Sequence, residues 1–130
     1  MIVVDASVLA PALADDGIDG DRARGRLAGE SLVAPELVDL EVASVLRRAA
    51  QERRLDNRRA AQALTDLAAL PLRRAPHLPL LPRIWELREN VTAYDAAYVA
   101  LAEALDASLV TADARMAGTP GLSCDVQLLR

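Results

Sequence analysis

Four carboxylates stand where this sequence could do chemistry: Asp5, Glu41, Asp95 and Asp113. Asp5 closes the β-branched run Ile2-Val3-Val4, and Asp113 lies just after the apolar run Leu109-Val110-Thr111. Each run reads as a strand. In an open parallel sheet, the residues beyond the carboxyl ends of the strands face the ligand crevice. Two like charges in one such crevice are costly unless a cation joins them, so the pair points to a metal site. Taken singly, each acid reads equally well as a cap on the helix behind it.

Glu41 gives a sharper signal. At about 100° per residue, Leu37, Val38, Val45 and Ala49 form one apolar stripe, and Glu41 falls inside it. Glu36 and Asp39 point elsewhere. A carboxylate on an inward face needs a partner, which is either a bound cation or an arginine. Thr92-Ala93-Tyr94-Asp95 matches a capping box, in which Thr92 caps the helix and Asp95 reaches back. Asp95 is therefore a cap, a fourth acid near the strand ends, or both.

The elements that must position these residues alternate between strand and helix. Strands are expected at Ile2-Val3-Val4, Leu32-Val33-Ala34 and Ser108 to Thr111, with weaker candidates at Leu72 to Ala75 and Asp125 to Leu129. Helices are expected from Ala6 to Ala14, Asp21 to Ala28, Glu36 to Arg54, Asn57 to Leu70, Leu81 to Glu89 and Ala93 to Asp106, with a short turn of helix after Asp113. In the Asn57 helix, Ala61, Leu64, Leu67 and Ala68 share a face. The alternation predicts a mainly parallel sheet covered on both faces, with the first strand and the Ser108 strand as neighbours.

Length and composition bound the rest. At 130 residues, 52% of them hydrophobic, the chain suits a single domain over residues 1–130 with a real core. Aromatics are only 2% and Phe is absent, so Leu, Val and Ala must fill that core. One cysteine, Cys124, excludes an internal disulfide, and the expected compartment is the cytoplasm. There is no apolar stretch of membrane-spanning length. All 15 basic residues are arginine, which excludes any mechanism that needs a lysine. The single histidine, His77, reads as a loop residue, and common zinc sites are out. The run Asp15 to Asp21 looks like a calcium loop, but Arg26 stands where the closing Glu should be. Trp85 reads as core or interface.

The net charge of −4 is unpromising for a nucleic-acid binder, although cations in an acidic cluster invert the local sign. Arg47, Arg48, Arg53, Arg54, Arg58 and Arg59 fall within 13 residues. They form either a solvated face or a track for phosphates, with Arg47 and Arg48 the candidates for an RNA backbone.

The segments Ile-Val-Val-Asp5-Ala-Ser7, Pro35-Glu-Leu-Val-Asp-Leu-Glu41-Val, Thr92-Ala-Tyr-Asp95-Ala-Ala-Tyr-Val-Ala-Leu-Ala-Glu103 and Leu109-Val-Thr111-Ala-Asp113 occur in this order. Together they resemble the PIN-domain ribonucleases, and in particular the VapC-like toxins of toxin–antitoxin pairs. The resemblance spans the chain and is most specific over its last two segments. It implies a three-layer α/β/α fold around a small parallel sheet. It also implies that Asp5, Glu41, Asp95 and Asp113 form an acidic quartet, assisted by Thr111 and Ser7. A homodimer and an inhibiting antitoxin are implied as partners. Ser44 departs from the pattern, because many relatives carry Asn there.

The expected chemistry is then hydrolysis of RNA phosphodiesters with magnesium or manganese, which hard oxygen ligands select. Asp5, Asp95 and Asp113 are the first choices as ligands, while Glu41 ligates or orients the attacking water. A phosphohydrolase with an aspartate nucleophile fits less well, since Asp5-Ala-Ser7 lacks the second Asp of that motif. A ribonuclease-H-like chain would open with hairpin strands rather than lead from Asp5 into a helix. The non-enzymatic alternative is a protein-binding module whose acidic groove takes an arginine-bearing peptide.

Overall fold

Strands of three or four residues cannot stand alone, and burial on both faces holds the central three of the sheet here. The computed structural model describes all 130 residues. Its order is β1 (Ile2–Val4), α1 (Ala6–Ala14), α2 (Ile18–Leu27), β2 (Leu32–Pro35), α3 (Val38–Gln51), α4 (Asn57–Ala69) and β3 (Leu72–Ala75). A 3-10 turn at Leu78–Leu80 then leads into α5 (Leu81–Glu86), α6 (Ala93–Leu105), β4 (Ser108–Thr111), α7 (Ala114–Ala117) and β5 (Val126–Leu128).

The sheet has five strands in the order β3-β2-β1-β4-β5, and every pairing is parallel. Val3 lies opposite Val33 on one side and Leu109 on the other. Residues Ile2, Val3 and Val4 are all buried, which is why β1 reads as an unbroken apolar run. From β1 the chain winds outward to β3, then returns to the other side of β1 for β4 and β5. Right-handed crossovers place those two sets of connections on opposite faces. Helices α1 to α4 pack together on one face, and α6 lies against β1, β2 and β4 with α5 beside it on the other. The expected three-layer α/β/α sandwich is formed. Residues 96–102 of α6 are all buried, four of them alanines, which lets this helix sit close to the sheet.

Two expectations need correction. The core face of α3 is Val38, Val42, Leu46 and Ala49, so Val45 is exposed and the true stripe is rotated away from the Leu37 and Val45 side. Both phases are apolar in sequence, and packing against α1 selects the one that carries Val42 and Leu46. In α4 the buried residues are Ala63 and Leu67, while Ala61, Leu64 and Ala68 face solvent. Of the two readings of Trp85, core or interface, exposure excludes the core, and the Arg88 guanidinium lies 4.6 Å from its ring centre. The Asp15-to-Asp21 run, whose match to a calcium loop breaks at Arg26, leads directly into α2 at Ile18.

Candidate active site

At the carboxyl edge of a parallel sheet the following helices present their N-termini, where partial positive charge favours an acid. All four predicted carboxylates sit at such positions. Asp5 is the N-cap residue of α1 and Asp113 that of α7, while Glu41 and Asp95 lie in the first turns of α3 and α6. β1 and β4 are neighbours, and the winding reverses between them, so the acids surround the topological switch point of the sheet.

Asp5 is only 7% exposed and makes no side-chain cap on α1. Its Oδ2 instead accepts from the Ser7 hydroxyl at 2.8 Å and from the Thr111 hydroxyl at 2.7 Å. Thr111 also accepts the Asp113 N–H at 3.0 Å, and Ser7 accepts the Ala112 N–H at 2.9 Å. These bonds tie the end of β1 to the end of β4. The two supporting residues implied by the resemblance thus fix one oxygen of Asp5 and leave Oδ1 without a protein donor, open to solvent.

Glu41 stands half-buried beside the true core stripe of α3 rather than within it, and its partner is neither arginine nor lysine. Tyr98 donates its hydroxyl to Glu41 Oε1 at 2.6 Å. Burial pushes the Glu41 carboxyl above the usual carboxylate range; Tyr98 opposes this, and the charges of Asp5 and Asp95 add to it. The Asp95 carboxyl is raised too, first by burial and then by Asp5 and Asp113. The capping box is half formed: Thr92 accepts the Asp95 N–H at 3.2 Å, but Asp95 makes no return bond to the Thr92 backbone. Its carboxyl is left for the site.

Asp113 does cap its helix, accepting the Arg115 N–H at 2.9 Å. The Arg115 guanidinium also holds both its oxygens and keeps its carboxyl below the usual range. The four acids therefore share one electrostatic field without sharing one ligand sphere. As the side chains stand, no three of them close on a single ion. The donor set nonetheless fits a hard divalent cation. It is all oxygen, two of its members resist ionisation through burial and the neighbouring acids together, and Asp5 Oδ1 is open.

An open groove of about 450 Å³ takes in two of these acids, Asp5 and Glu41, with Ser7, Leu40, Arg48 and Tyr94 among its other lining residues, while Asp95 and Asp113 line a separate hollow of about 190 Å³. Arg48 borders the groove, whereas Arg47 does not and simply faces solvent. Ser44 is exposed in the same groove and bonds to no member of the quartet. Sequence reasoning passed over Tyr98 and Arg115. Tyr98 was readable three residues after Asp95, hence on the same face of α6. Arg115 carried no signal beyond its position two residues after Asp113.

A family model described as PIN domain matches residues 2–122. Over 132 residues the chain is 50% identical to a VapC ribonuclease of Mycobacterium bovis, covering 99% of this chain and 98% of that protein. Ribonuclease VapC1 of Mycobacterium tuberculosis is 46% identical, with 98% and 97% covered. Among solved structures, the sarcin-ricin loop cleaving toxin VapC20 of Mycobacterium tuberculosis superimposes with a TM-score of 0.71 at 18% identity, covering 94% of this chain and 96% of that one. A toxin–antitoxin complex from Klebsiella pneumoniae contains a chain that matches with a TM-score of 0.68 at 20% identity, covering 100% and 98%. At these identities the structural likeness speaks for the fold.

Proposed function

The chain belongs to the PIN-domain family, alongside the VapC ribonucleases, and we propose that its acidic groove hydrolyses RNA phosphodiesters with the help of magnesium or manganese. It is the ribonuclease of a toxin–antitoxin pair, and its partner is a cognate antitoxin protein. One observation carries the chemical reading: four carboxylates stand at four helix N-termini on one sheet edge, and two are raised, first by burial and further by the charges of the other acids. That repulsion is what a divalent cation would relieve.

Asp5, Asp95 and Asp113 are the residues that would hold the cation, Asp5 through its open Oδ1. Bound there, a divalent ion supplies Lewis-acid stabilisation of the charge that builds on the phosphoryl oxygens. Ser7 and Thr111 keep Asp5 in one rotamer, so the ligand is positioned before the substrate arrives. Glu41 lies across the groove with its carboxyl held by Tyr98. With its affinity for protons raised, it suits the role of taking the proton of an attacking water. The water oxygen then joins phosphorus as the bond to the bridging oxygen breaks, and that oxygen leaves with a proton from solvent. Arg48 and the exposed Tyr94 beside the groove suit a phosphate and a base of a single strand. The exposed apolar residues Leu78, Leu81 and Trp85 support a homodimer in the same reading. No helix is long and apolar enough to cross a membrane.

The test is cleavage of a single-stranded RNA pool by the purified chain in Mg2+ or Mn2+, and again in EDTA, beside Asp95→Asn. Metal-requiring cleavage that falls at least about a hundredfold in the variant supports the nuclease. Equal cleavage by both proteins removes this site from the chemistry. Silence from both folded proteins favours the alternative in which the acids bind an arginine-bearing peptide.

A further inference from the structure

Asp113 is the one member of the quartet already answered by a cation. Hydroxyls face two of the others, Ser7 and Thr111 on Asp5 and Tyr98 on Glu41, while at Asp95 the Thr92 hydroxyl accepts the backbone N–H. Arg115 instead takes both oxygens of Asp113. Its N–H and Nε reach Oδ1 at 2.9 and 3.3 Å, and Nη2 reaches Oδ2 at 3.1 Å.

The protein's clamping arginines look different. Arg74 is held by Asp39 and by the carbonyls of Leu67 and Leu72, and Arg83 by Glu103, Glu86 and the carbonyl of Gly121. Each joins several elements and is two-thirds or more buried. Arg115 is 90% exposed, and Asp113 is the only partner of its guanidinium. No packing keeps it in that pose. It also borders a hollow of about 190 Å³ whose lining includes Asp95, Asp113, Asn90 and Thr119. Its charge therefore stands at the mouth of the site without being built into the fold.

We propose that Arg115 is an exchangeable counter-ion and phosphate-gripping residue of the active site. It holds Asp113 until a divalent cation takes the carboxylate, and its freed guanidinium then binds a non-bridging oxygen of the RNA phosphodiester. The inference rests on the nuclease reading above. A guanidinium and a divalent cation compete for the same lone pairs of Asp113. The exposed ion pair is weak, so the exchange is easy. Only the side chain has to turn, because the backbone N–H of Arg115 remains on Oδ1 as the cap of α7. The planar fork that matches a carboxylate also matches two phosphoryl oxygens.

Mn2+ binding, followed by calorimetry or by the loss of free-ion EPR signal, is compared for wild type, Arg115→Gln, Arg115→Lys and the distant control Arg88→Gln. Arg115→Gln should bind Mn2+ about two- to fivefold more tightly, with Arg88→Gln unchanged. In RNA cleavage, Arg115→Gln should raise KM with kcat little altered. It should also lower the slope of log(kcat/KM) against log salt by about 0.7, as loss of one single-strand phosphate contact requires. Arg115→Lys should recover part of the KM loss. Unchanged or weaker Mn2+ binding by Arg115→Gln overturns the exchange even if the wild type cleaves RNA. An unaltered KM and salt slope overturns the phosphate grip. If wild type binds no Mn2+, the exchange falls together with the cation-dependent reading. Tighter Mn2+ binding in a chain that cleaves no RNA upholds the exchange and overturns only the grip and the nuclease.

Discussion

Tyr98 is wholly buried, yet its hydroxyl emerges at the site to meet Glu41 at 2.6 Å. Burial and the Glu41 charge push the phenol far above its usual range, so it remains a donor at every working pH. Its bond to Glu41 favours the ionised carboxylate and works against the burial that raises it. Tyr98→Phe removes that bond, so the Glu41 carboxyl should rise further. If Glu41 takes the proton of water, the acid limb of kcat/KM moves to higher pH, and activity below it drops roughly two- to tenfold, a fraction of what a general base contributes. Stability should fall by only about 1 kcal/mol, since the half-exposed Glu41 recovers a water as partner. A pH profile that merely scales down, with its limb unmoved, would remove Tyr98 from the proton chemistry.

The junction of α1 and α2 is held by a close approach that only glycine permits. A Cβ at Gly20 would lie 1.7 Å from the carbonyl oxygen of Asp15, an oxygen that also accepts the Arg24 Nη1 at 2.7 Å. Gly20→Ala should therefore cost about 2 kcal/mol or more and lower the urea midpoint. Gly25→Ala, where the new methyl meets nothing, should be neutral or slightly stabilising. Equal midpoints for the two variants would contradict the packing at this turn. In sequence, the acids around Gly20 imitated a metal loop, because charge pattern says nothing of a backbone carbonyl nearby. Elements with one strong period were legible: β1, α1, β4 and α6 lie where Val, Leu and Ala periodicity puts them. The faces of α3 and α4 were not. Two apolar phases were open on each helix, and tertiary packing chose between them. The candidate site was legible as types and positions, since strand ends and helix starts bring Asp5, Glu41, Asp95 and Asp113 to one edge. Their partners were not, because Tyr98 and Arg115 are chosen by three-dimensional proximity alone.

Over the whole molecule, carboxylates pull stability in two directions. Glu103, tied to Arg83, Asp113, tied to Arg115, and Asp125, tied to Gln127, all titrate below their ordinary values. Their contributions are present above the ordinary carboxylate range and fade as acid protonates the folded state. Glu41 and Asp95 run the other way, raised first by burial and then by neighbouring acids, with Arg115 and Thr92 lowering Asp95 in part. A carboxyl raised in the folded chain supports folding while protonated, below its unfolded value, and that support is lost as pH rises through the folded value. At neutral pH, without a divalent cation, the site therefore works against a fold already carrying a net charge of −4. In EDTA at pH 7, Glu41→Gln and Asp95→Asn should each raise Tm by a few degrees, and the gain should shrink as falling pH returns protons to the raised wild-type carboxyls. Saturating Mn2+ should reverse the order for Asp95→Asn, whose native carboxylate would hold the cation. A ligand bound only by the folded state adds about 2.7 kcal/mol at a hundred times its Kd, and the wild type should gain more than a variant that has lost a ligand. Thermal melts across pH, with and without Mn2+, read all of this at once. Variants that melt lower than wild type in EDTA at pH 7 would show that the four acids do not strain the folded state, and the argument that their repulsion calls for a cation would fail.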